Sequence, residues 1–315
     1  MKKKKNFTLG KDWTTQFQLH TLMLPGTVCI IVFSILPLFG LILAFKNYSV
    51  VEGVAGIFTS KWYGFQNFKI IFGNHDFTRM LVNTLGINLL GNLINIPAAL
   101  FFALLINEIA SPFLKKSVQT LTYMPHFISW VIISSISYQF LSQSGIINVL
   151  LTKFHLIEKP IKFLTDAKLF WGLAVSLDIW KEMGWWTIIF LAAIVGISQD
   201  YYEAAQIDGA TRMQRIIYIT LPCIKSTIVV VLIMTMGNLF GGGLSGSNFE
   251  QCYLLGNNVN SDTSSIIQTY VFDVGLAQGR YAYATAVGLI QSVISLILIF
   301  SSNFVSKKLA GSGLF

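Results

Sequence analysis

Long apolar runs separated by polar segments dominate the chain. Six runs are long enough to cross a membrane as helices, since a spanning helix needs roughly 20 mainly apolar residues to cross about 30 Å of hydrocarbon. The predicted spans are residues 22–45, 81–106, 121–141, 170–197, 224–245 and 283–304. Only helices or closed barrels satisfy their backbone in lipid, and these runs lack the alternation of barrel strands. The pattern predicts an all-α membrane protein.

The distribution of Lys and Arg favours a cytoplasmic N-terminus and C-terminus. The loops between the spans alternate between long and short, and with that orientation the cytoplasmic side collects Lys2 to Lys5, Lys11, Lys115, Lys116, Arg212, Arg215, Lys225, Lys307 and Lys308. The excess over the other side is moderate. We therefore divide the chain into a cytoplasmic N-terminal segment (1–21), a six-helix transmembrane domain (22–304) and a cytoplasmic tail (305–315).

Composition excludes a soluble globule. Of 315 residues, 54% are apolar and only 11% are charged, and the mean hydropathy is +0.64, so polar surface is too scarce to cover a water-soluble fold. The net charge of +8 does not indicate nucleic-acid binding, because the basic residues sit at the edges of the spans rather than in one patch. The first apolar run is too long for a signal peptide and is interpreted as a retained span.

The three cysteines and the helix-breaking residues add little chemistry. Cys29, Cys223 and Cys252 are scattered, so neither a disulfide nor a metal site is predicted and the redox compartment stays open. Several spans contain breakers, namely Pro25, Pro37, Pro97, Gly237, Gly241, Gly242, Gly243 and Gly246. The Gly237/Gly241 and Gly242/Gly246 spacings suit close helix packing. A pliable stretch beside a transport path is the alternative.

The segment between the fourth and fifth spans predicts a helix, a turn and a second helix. Gln199 and Asp200 stand where a short helix would be capped, and Gly209 can adopt the positive φ that ends it. A second, amphipathic stretch covers residues 210–221, and Pro222 closes it. Its apolar face comprises Met213, Ile216, Ile217 and Leu221. Such a pair of helices can enter a groove on a partner protein or lie among lipid headgroups.

This segment resembles the EAA loop of binding-protein-dependent ABC importer permeases. Glu203-Ala204-Ala205 is followed after three residues by Gly209, and after nine more by Ile219, one residue and Leu221-Pro222. The resemblance covers nearly the whole chain and looks closest to permeases for oligosaccharide and polysaccharide fragments such as aldouronates and alginate. The supporting stretches are residues 24–26 with Pro37, 83–85, 107–108, 123–130, 178–181 with 184–185, and 283–289.

The resemblance implies the type I ABC importer permease fold in a multi-pass protein of the bacterial plasma membrane. It also implies that loop 199–222 docks on a separate ATPase, with the coupling residues Glu203, Ala204, Ala205, Asp208, Gly209 and Arg212. The chain has no Gly-x-x-x-x-Gly-Lys-Ser/Thr motif, so we expect no enzymatic activity or cofactor in it, with ATP and Mg on the partner. The implied partners are two ATPase subunits, an extracytoplasmic solute-binding protein and a second permease, by family precedent a different chain, although a homodimer is not excluded.

Charged residues inside the fourth span are candidates for the transport path, because ionisable groups in a membrane are costly. Asp178 and Lys181 are three residues apart and are expected to pair, which would leave Glu182 over. Tryptophans beside them can stack on sugar rings. The predicted path residues are Tyr138, Asp178, Trp180, Glu182, Trp185, Trp186, Asn238 and Glu250. His126 is interpreted as structural, since it lacks a partner acid in the sequence nearby.

Other classes of membrane protein fit less well. An ion-coupled secondary transporter would show inverted repeats and paired broken helices, and no convincing internal repeat is present. An intramembrane enzyme would need a nucleophile with a base, or a metal set, at matching depth, and neither catalytic nor metal-binding residues are predicted. An ABC importer for a solute other than a sugar remains the alternative.

Overall fold

The structure is a computed structural model that describes residues 13–240 and 248–311. Within these ranges the chain is helical, with one isolated antiparallel bridge between Lys46 and Trp62. The predicted basic cluster at Lys2 to Lys5 and Lys11 lies outside the described residues, as do the last residues of the tail.

The long helices follow the apolar runs and the short ones occupy the loops between them. In chain order the helices are α1 (Trp13–Ile30), α2 (Gly56–Thr59), α3 (Gln66–Phe72), α4 (His75–Asn107), α5 (Pro112–Tyr123), α6 (Trp130–Leu141), α7 (Ile146–Lys153), α8 (Ala167–Val195), α9 (Gln199–Ile207), α10 (Arg212–Arg215), α11 (Leu221–Cys223), α12 (Lys225–Gly237), α13 (Phe249–Leu255), α14 (Ser261–Ser264), α15 (Ile267–Phe272) and α16 (Tyr281–Ala310). A π turn (Ile31–Ile35) and a 3₁₀ segment (Leu36–Phe45) extend α1.

Three described helical stretches are long and apolar enough to cross a membrane: Thr15–Phe45, His75–Asn107 and Tyr281–Lys308. Two further candidates are bent pairs. The α8/α9 pair bends by 68°, and the Arg212–Cys223 and Lys225–Gly237 pair bends by 59°. The described residues therefore offer three to five crossings by length and composition, rather than the six that the apolar runs predict.

The predicted third span, residues 121–141, is not one helix. It is divided among the end of α5, a 3₁₀ turn (Met124–Phe127) and α6. Pro125 lacks the N–H that would continue α5, and Ile128 and Ser129 are extended, with ψ of 128° and 150°. Since α6 has only 12 residues, it is about 18 Å long and cannot cross the hydrocarbon alone.

The predicted fifth span, residues 224–245, is also shorter than expected where it is described. Helix α12 ends at Gly237, and residues 241–245 of the prediction lie outside the described chain. A Cβ added to Gly237 would lie 2.9 Å from Ile299 Cδ1 of α16. This contact supports the packing interpretation for Gly237, whereas Gly241, Gly242, Gly243 and Gly246 fall outside the described residues.

Helices α4 and α8 form the centre of the fold. They pack along their length around a buried apolar cluster whose members include Ile96, Ala99 and Phe190. A second cluster joins α16 to α4 and the 3₁₀ segment through residues such as Met80, Ala44 and Val287. The described side chains of α1, in contrast, are all exposed. In a membrane protein, exposed apolar side chains of this kind face lipid or another subunit rather than water.

Buried asparagines hold the segment between α13 and α15 in place. Asn83 of α4 donates hydrogen bonds of 2.9 Å to the carbonyl oxygens of Asp262 and Ser265. Asn260 donates to the carbonyl of Leu164 at 2.9 Å. These bonds fix the segment between α13 and α15 against the N-terminal part of α4 and the loop before α8.

We expect Asn83→Ala to lower the free energy of unfolding by about 1–3 kcal/mol, because it leaves two loop carbonyls without their donor. Thermal unfolding of the purified protein in detergent measures the change. The control is Leu93→Ala on the same helix, whose side chain is 75% exposed and whose removal should change stability by less than about 0.5 kcal/mol. Equal unfolding temperatures for the two variants would contradict this role of Asn83.

A polar cavity joined to an exposed surface helix

A polar cavity of about 250 Å³ lies between α4, α6, α8 and α12. Its lining residues are Asn88, Asn92, Asn95, Trp130, Asp178, Glu182, Trp186, Thr235, Asn238 and Asn248. Residues three or four apart lie on one face of a helix. For this reason α4 contributes three asparagines and α8 contributes two carboxyl groups and an indole, each set from one face.

An ion network stands beside the cavity. Glu182 accepts hydrogen bonds from two neighbouring side chains. Its Oε1 lies 3.1 Å from Lys181 Nζ, and its Oε2 lies 2.7 Å from His126 Nδ1. Lys181 Nζ also donates to the carbonyl oxygen of His126 at 2.5 Å. The network thus fastens the 3₁₀ turn of the broken span to the middle of α8.

Two sequence-based expectations about these groups are wrong. Lys181 does not pair with Asp178 but with Glu182, because the lysine side chain extends toward the turn at His126. Glu182 is consequently not the carboxyl group left over. The histidine has a partner acid after all, which lies 56 residues away in sequence, and its ring also stacks on Trp185 with centroids 4.6 Å apart.

Asp178 forms no ion pair with any residue of the described chain. Its carboxyl group faces α4, where a Cβ added to Gly91 would lie 3.7 Å from Asp178 Oδ2. Asn95, also in the cavity wall, is only 3% exposed, and its side-chain carbonyl oxygen has no hydrogen-bond partner among the described residues. The cavity wall therefore carries polar groups that the described chain leaves unpaired, as in a site for a polar ligand.

The structure brings together only part of the predicted path set. Asp178, Glu182, Trp186 and Asn238 line the cavity. The other four predicted residues lie elsewhere with exposed side chains, namely Tyr138, Trp180, Trp185 and Glu250. Sequence reasoning missed the asparagine face of α4, although its spacing of four and three residues inside an apolar run was a usable signal.

The segment of residues 199–222 forms the predicted helix, turn and second helix. Ser198 caps α9, accepting from the backbone N–H of Asp200 at 3.3 Å, so the cap stands one residue before the predicted position. Gly209 has φ of +76°, a conformation that favours glycine. Thr211 begins the next helix with a capping box to Gln214. The second helix ends at Cys223, one residue after the predicted end at Pro222, and α12 follows after a 59° bend.

The predicted coupling residues share one exposed surface. Glu203, Ala204, Asp208, Gly209 and Arg212 are exposed, and Ala205 is half-buried. Apolar side chains are exposed beside them, and Ile207 is 87% exposed. Of the four residues predicted to form the apolar face of the second helix, Met213 and Ile217 are exposed, whereas Ile216 and Leu221 are half-buried. An exposed apolar and charged surface of this kind is typical of a site for a partner protein.

Helix α9 follows closely on α8, the helix that lines the cavity. Only residues 196–198 separate α8 from α9, and Tyr202 of α9 bonds through its hydroxyl to Thr220 Oγ1 at 2.9 Å. Glu182 and Val195 are on the same helix, about 20 Å apart along its axis. No group of three His, Cys, Asp or Glu side chains in the described ranges is arranged to hold a metal ion.

Comparison with known proteins identifies the family. Residues 95–311 match the family described as the binding-protein-dependent transport system inner membrane component. LplB of Bacillus subtilis (strain 168) is 44% identical, with 94% of this chain and 91% of LplB covered. The polygalacturonan/rhamnogalacturonan transport system permease YteP of the same organism is 39% identical, with 100% of this chain and 95% of YteP covered.

A solved structure agrees with the sequence relatives. A chain of a bacterial alginate ABC transporter, in complex with a periplasmic protein carrying an alginate pentasaccharide, superimposes with a TM-score of 0.85. The two are 36% identical over 97% of this chain and 99% of the other. The likeness extends over nearly the whole length of both chains. The chain therefore belongs to the family of binding-protein-dependent ABC transport system inner membrane components.

Proposed function

We propose that the chain is a permease subunit of an ATP-driven importer that passes oligosaccharides or polysaccharide fragments from an extracytoplasmic binding protein into the cytoplasm by alternating access. The observation that carries the proposal is the polar cavity on α8, the helix that leads directly into the exposed α9. A partner that moves α9 thereby moves the wall of a cavity suited to a polar solute.

The cavity has the chemistry of a sugar site. Asparagine amides donate and accept hydrogen bonds, carboxyl groups accept from hydroxyls, and the indoles of Trp130 and Trp186 offer flat apolar faces to sugar rings. The names of YteP and of the alginate transporter supply independent support for a saccharide.

We further propose six crossings, with both termini cytoplasmic, in the plasma membrane of a bacterium. The third crossing would consist of the end of α5, the 3₁₀ turn and α6. Non-helical backbone is tolerated at membrane depth where it is buried in protein or lines a cavity. The contacts of the turn with Lys181 and Glu182, and the position of Trp130 in the cavity wall, fit this requirement.

The energy source in this proposal is a pair of separate ATPase subunits that carry ATP and Mg. Each subunit requires one coupling helix, and this chain supplies one, so a second permease completes the transporter, most simply as a heterodimer of related chains. Glu203, Ala204, Ala205, Asp208, Gly209 and Arg212 would contact the ATPase. Asp178, Glu182, Trp186 and Asn238, together with Asn88, Asn92 and Asn95, would line the path.

The test is transport by the complete transporter in liposomes. We expect binding protein loaded with oligosaccharide to stimulate ATP hydrolysis and uptake, and Asn92→Leu to reduce uptake by up to about tenfold, because one hydrogen bond to substrate is worth about 0.5–1.5 kcal/mol. Leu93 follows Asn92 on α4, has an exposed side chain and does not line the cavity. The Leu93→Ala variant should therefore transport normally.

Two results would contradict different parts of the proposal. Purification without an associated ATPase would contradict the role as an ABC permease. Stimulation by amino acids or metal ions, with none by any saccharide, would contradict the sugar assignment alone.

A further inference from the structure

We propose that the cavity selects uncharged sugar units and discriminates against uronates, so that the substrate is a neutral oligosaccharide. The inference rests on the proposed function and concerns the same cavity. The proposed substrate differs from those named for two similar proteins, because alginate and polygalacturonan are both polyuronates.

The first observation is the charge of the cavity wall. Its lining contains the carboxyl groups of Asp178 and Glu182 and, within the described chain, no Lys, Arg or His. Residues 241–247, which lie outside the described chain between Asn238 and Asn248, contain no charged residue in their sequence. Recognition of a carboxylate ordinarily uses Arg or Lys, most effectively as a bidentate pair. This chain offers no such group to a uronate in the cavity.

The nearest cation is already engaged. Lys181 is buried, with its ammonium group bonded to Glu182 and to the carbonyl of His126. The imidazole of His126 is held by the other carboxylate oxygen of Glu182 and by stacking on Trp185. Turning either group toward a substrate would deprive the half-buried Glu182 of one of its two partners, which is costly where water is partly excluded.

The second observation is the set of unpaired polar groups. Asp178 has no ion-pair partner in the described chain, and a carboxyl oxygen facing a cavity accepts hydrogen bonds from sugar hydroxyls but not from a carboxylate. Asn95 is only 3% exposed. Its side-chain carbonyl oxygen has no hydrogen-bond partner among the described residues. A ligand rich in hydroxyl donors satisfies both residues. A uronate carboxylate adds acceptors and a like charge next to Asp178, whose carboxyl group has no ion-pair partner in the described chain.

The experiment compares ligands that differ only in charge. The complete transporter, purified without its binding protein, is titrated by calorimetry with uronic oligosaccharides of one length and with their methyl esters, which neutralise each carboxylate on the same sugar ring. Galacturonan and mannuronan fragments cover two ring configurations, and neutral oligosaccharides of equal length complete the panel. We expect the uncharged ligands to bind at least about tenfold more tightly than the acids.

Substitutions in the cavity give the second arm. Asn92 is half-buried in the wall, and Asn92→Lys should raise the affinity for the acids at least about tenfold by supplying the missing cation. Asp178→Asn should reduce the difference in affinity between the acids and their methyl esters. Glu158→Lys, which changes an exposed residue between α7 and α8, serves as the control and should leave both affinities unchanged.

The outcomes separate the two proposals. Equal or tighter binding of the acids by the unmodified transporter would overturn the selectivity and leave the proposed function standing. Failure of every saccharide in the panel to bind, with no saccharide-stimulated ATP hydrolysis, would overturn both.

Discussion

Replacement of Glu203 by lysine is expected to abolish coupled uptake, with at least a thirtyfold loss, while the protein itself folds normally. Glu203 is exposed on α9 and has no ion pair in the described chain, so the change should not disturb the permease. Loss of a charged contact at a protein interface costs about 2–5 kcal/mol or more. Reversing the charge adds repulsion to that loss.

The measurements for Glu203→Lys are uptake and ATP hydrolysis in liposomes, together with co-purification of the ATPase. Gel filtration and the unfolding temperature of the variant verify that it is folded. Glu158→Lys makes the same charge change far along the chain and should retain activity. If Glu203→Lys bound the ATPase normally and kept uptake coupled to hydrolysis, the assignment of α9 as the coupling helix would be wrong.

The second large effect is expected at Gly184, where α8 meets the end of α5. A Cβ on Gly184 would overlap the carbonyl group of Thr122 and lie 2.7 Å from Tyr123 Cα. Both obstacles are backbone, which cannot turn away as a side chain does. Gly184→Ala should therefore push the two helices apart and lower the free energy of unfolding by about 1–3 kcal/mol or more.

Transport should fail in Gly184→Ala as well, because the displaced segment carries the turn at His126 that is bonded to Lys181 and Glu182. Thermal unfolding and uptake measure the two effects. Gly172→Ala is a matched control on the same helix, since nothing lies within 4 Å of a Cβ there and alanine is the better helix former. Equal stability of the two variants would contradict close packing at Gly184.

Several elements were predictable because local sequence determines them. Apolar length predicted the regions of α4, α8 and α16, and the turn at Gly209 follows from the permissive backbone of glycine. The break in the predicted third span also had a local signal, because Pro125 interrupts helical hydrogen bonding. A prediction of spans from hydropathy alone does not use this signal. The helix boundary at Ser198 was missed by one residue, within the uncertainty of reading caps from sequence.

The ion network could not be predicted from sequence spacing. The i,i+3 rule suggested Asp178 and Lys181, but a lysine side chain is long enough to reach a neighbouring helix instead. The partner that decides the arrangement, His126, lies 56 residues before Glu182 in the chain. Only the approach of the 3₁₀ turn to α8 establishes which carboxyl group is neutralised and which one is left to face the cavity.

The attachment of the broken span to α8 has a consequence for the transport cycle. A break in a helix normally adds a hinge, and motion applied at one end is partly absorbed there. The bonds from Lys181 and Glu182 to His126 restrain that hinge and tie the turn before α6 to α8. In the proposed transport cycle, a displacement of α9 would therefore move Trp130 of α6 and Trp186 of α8 together, and with them two walls of the cavity.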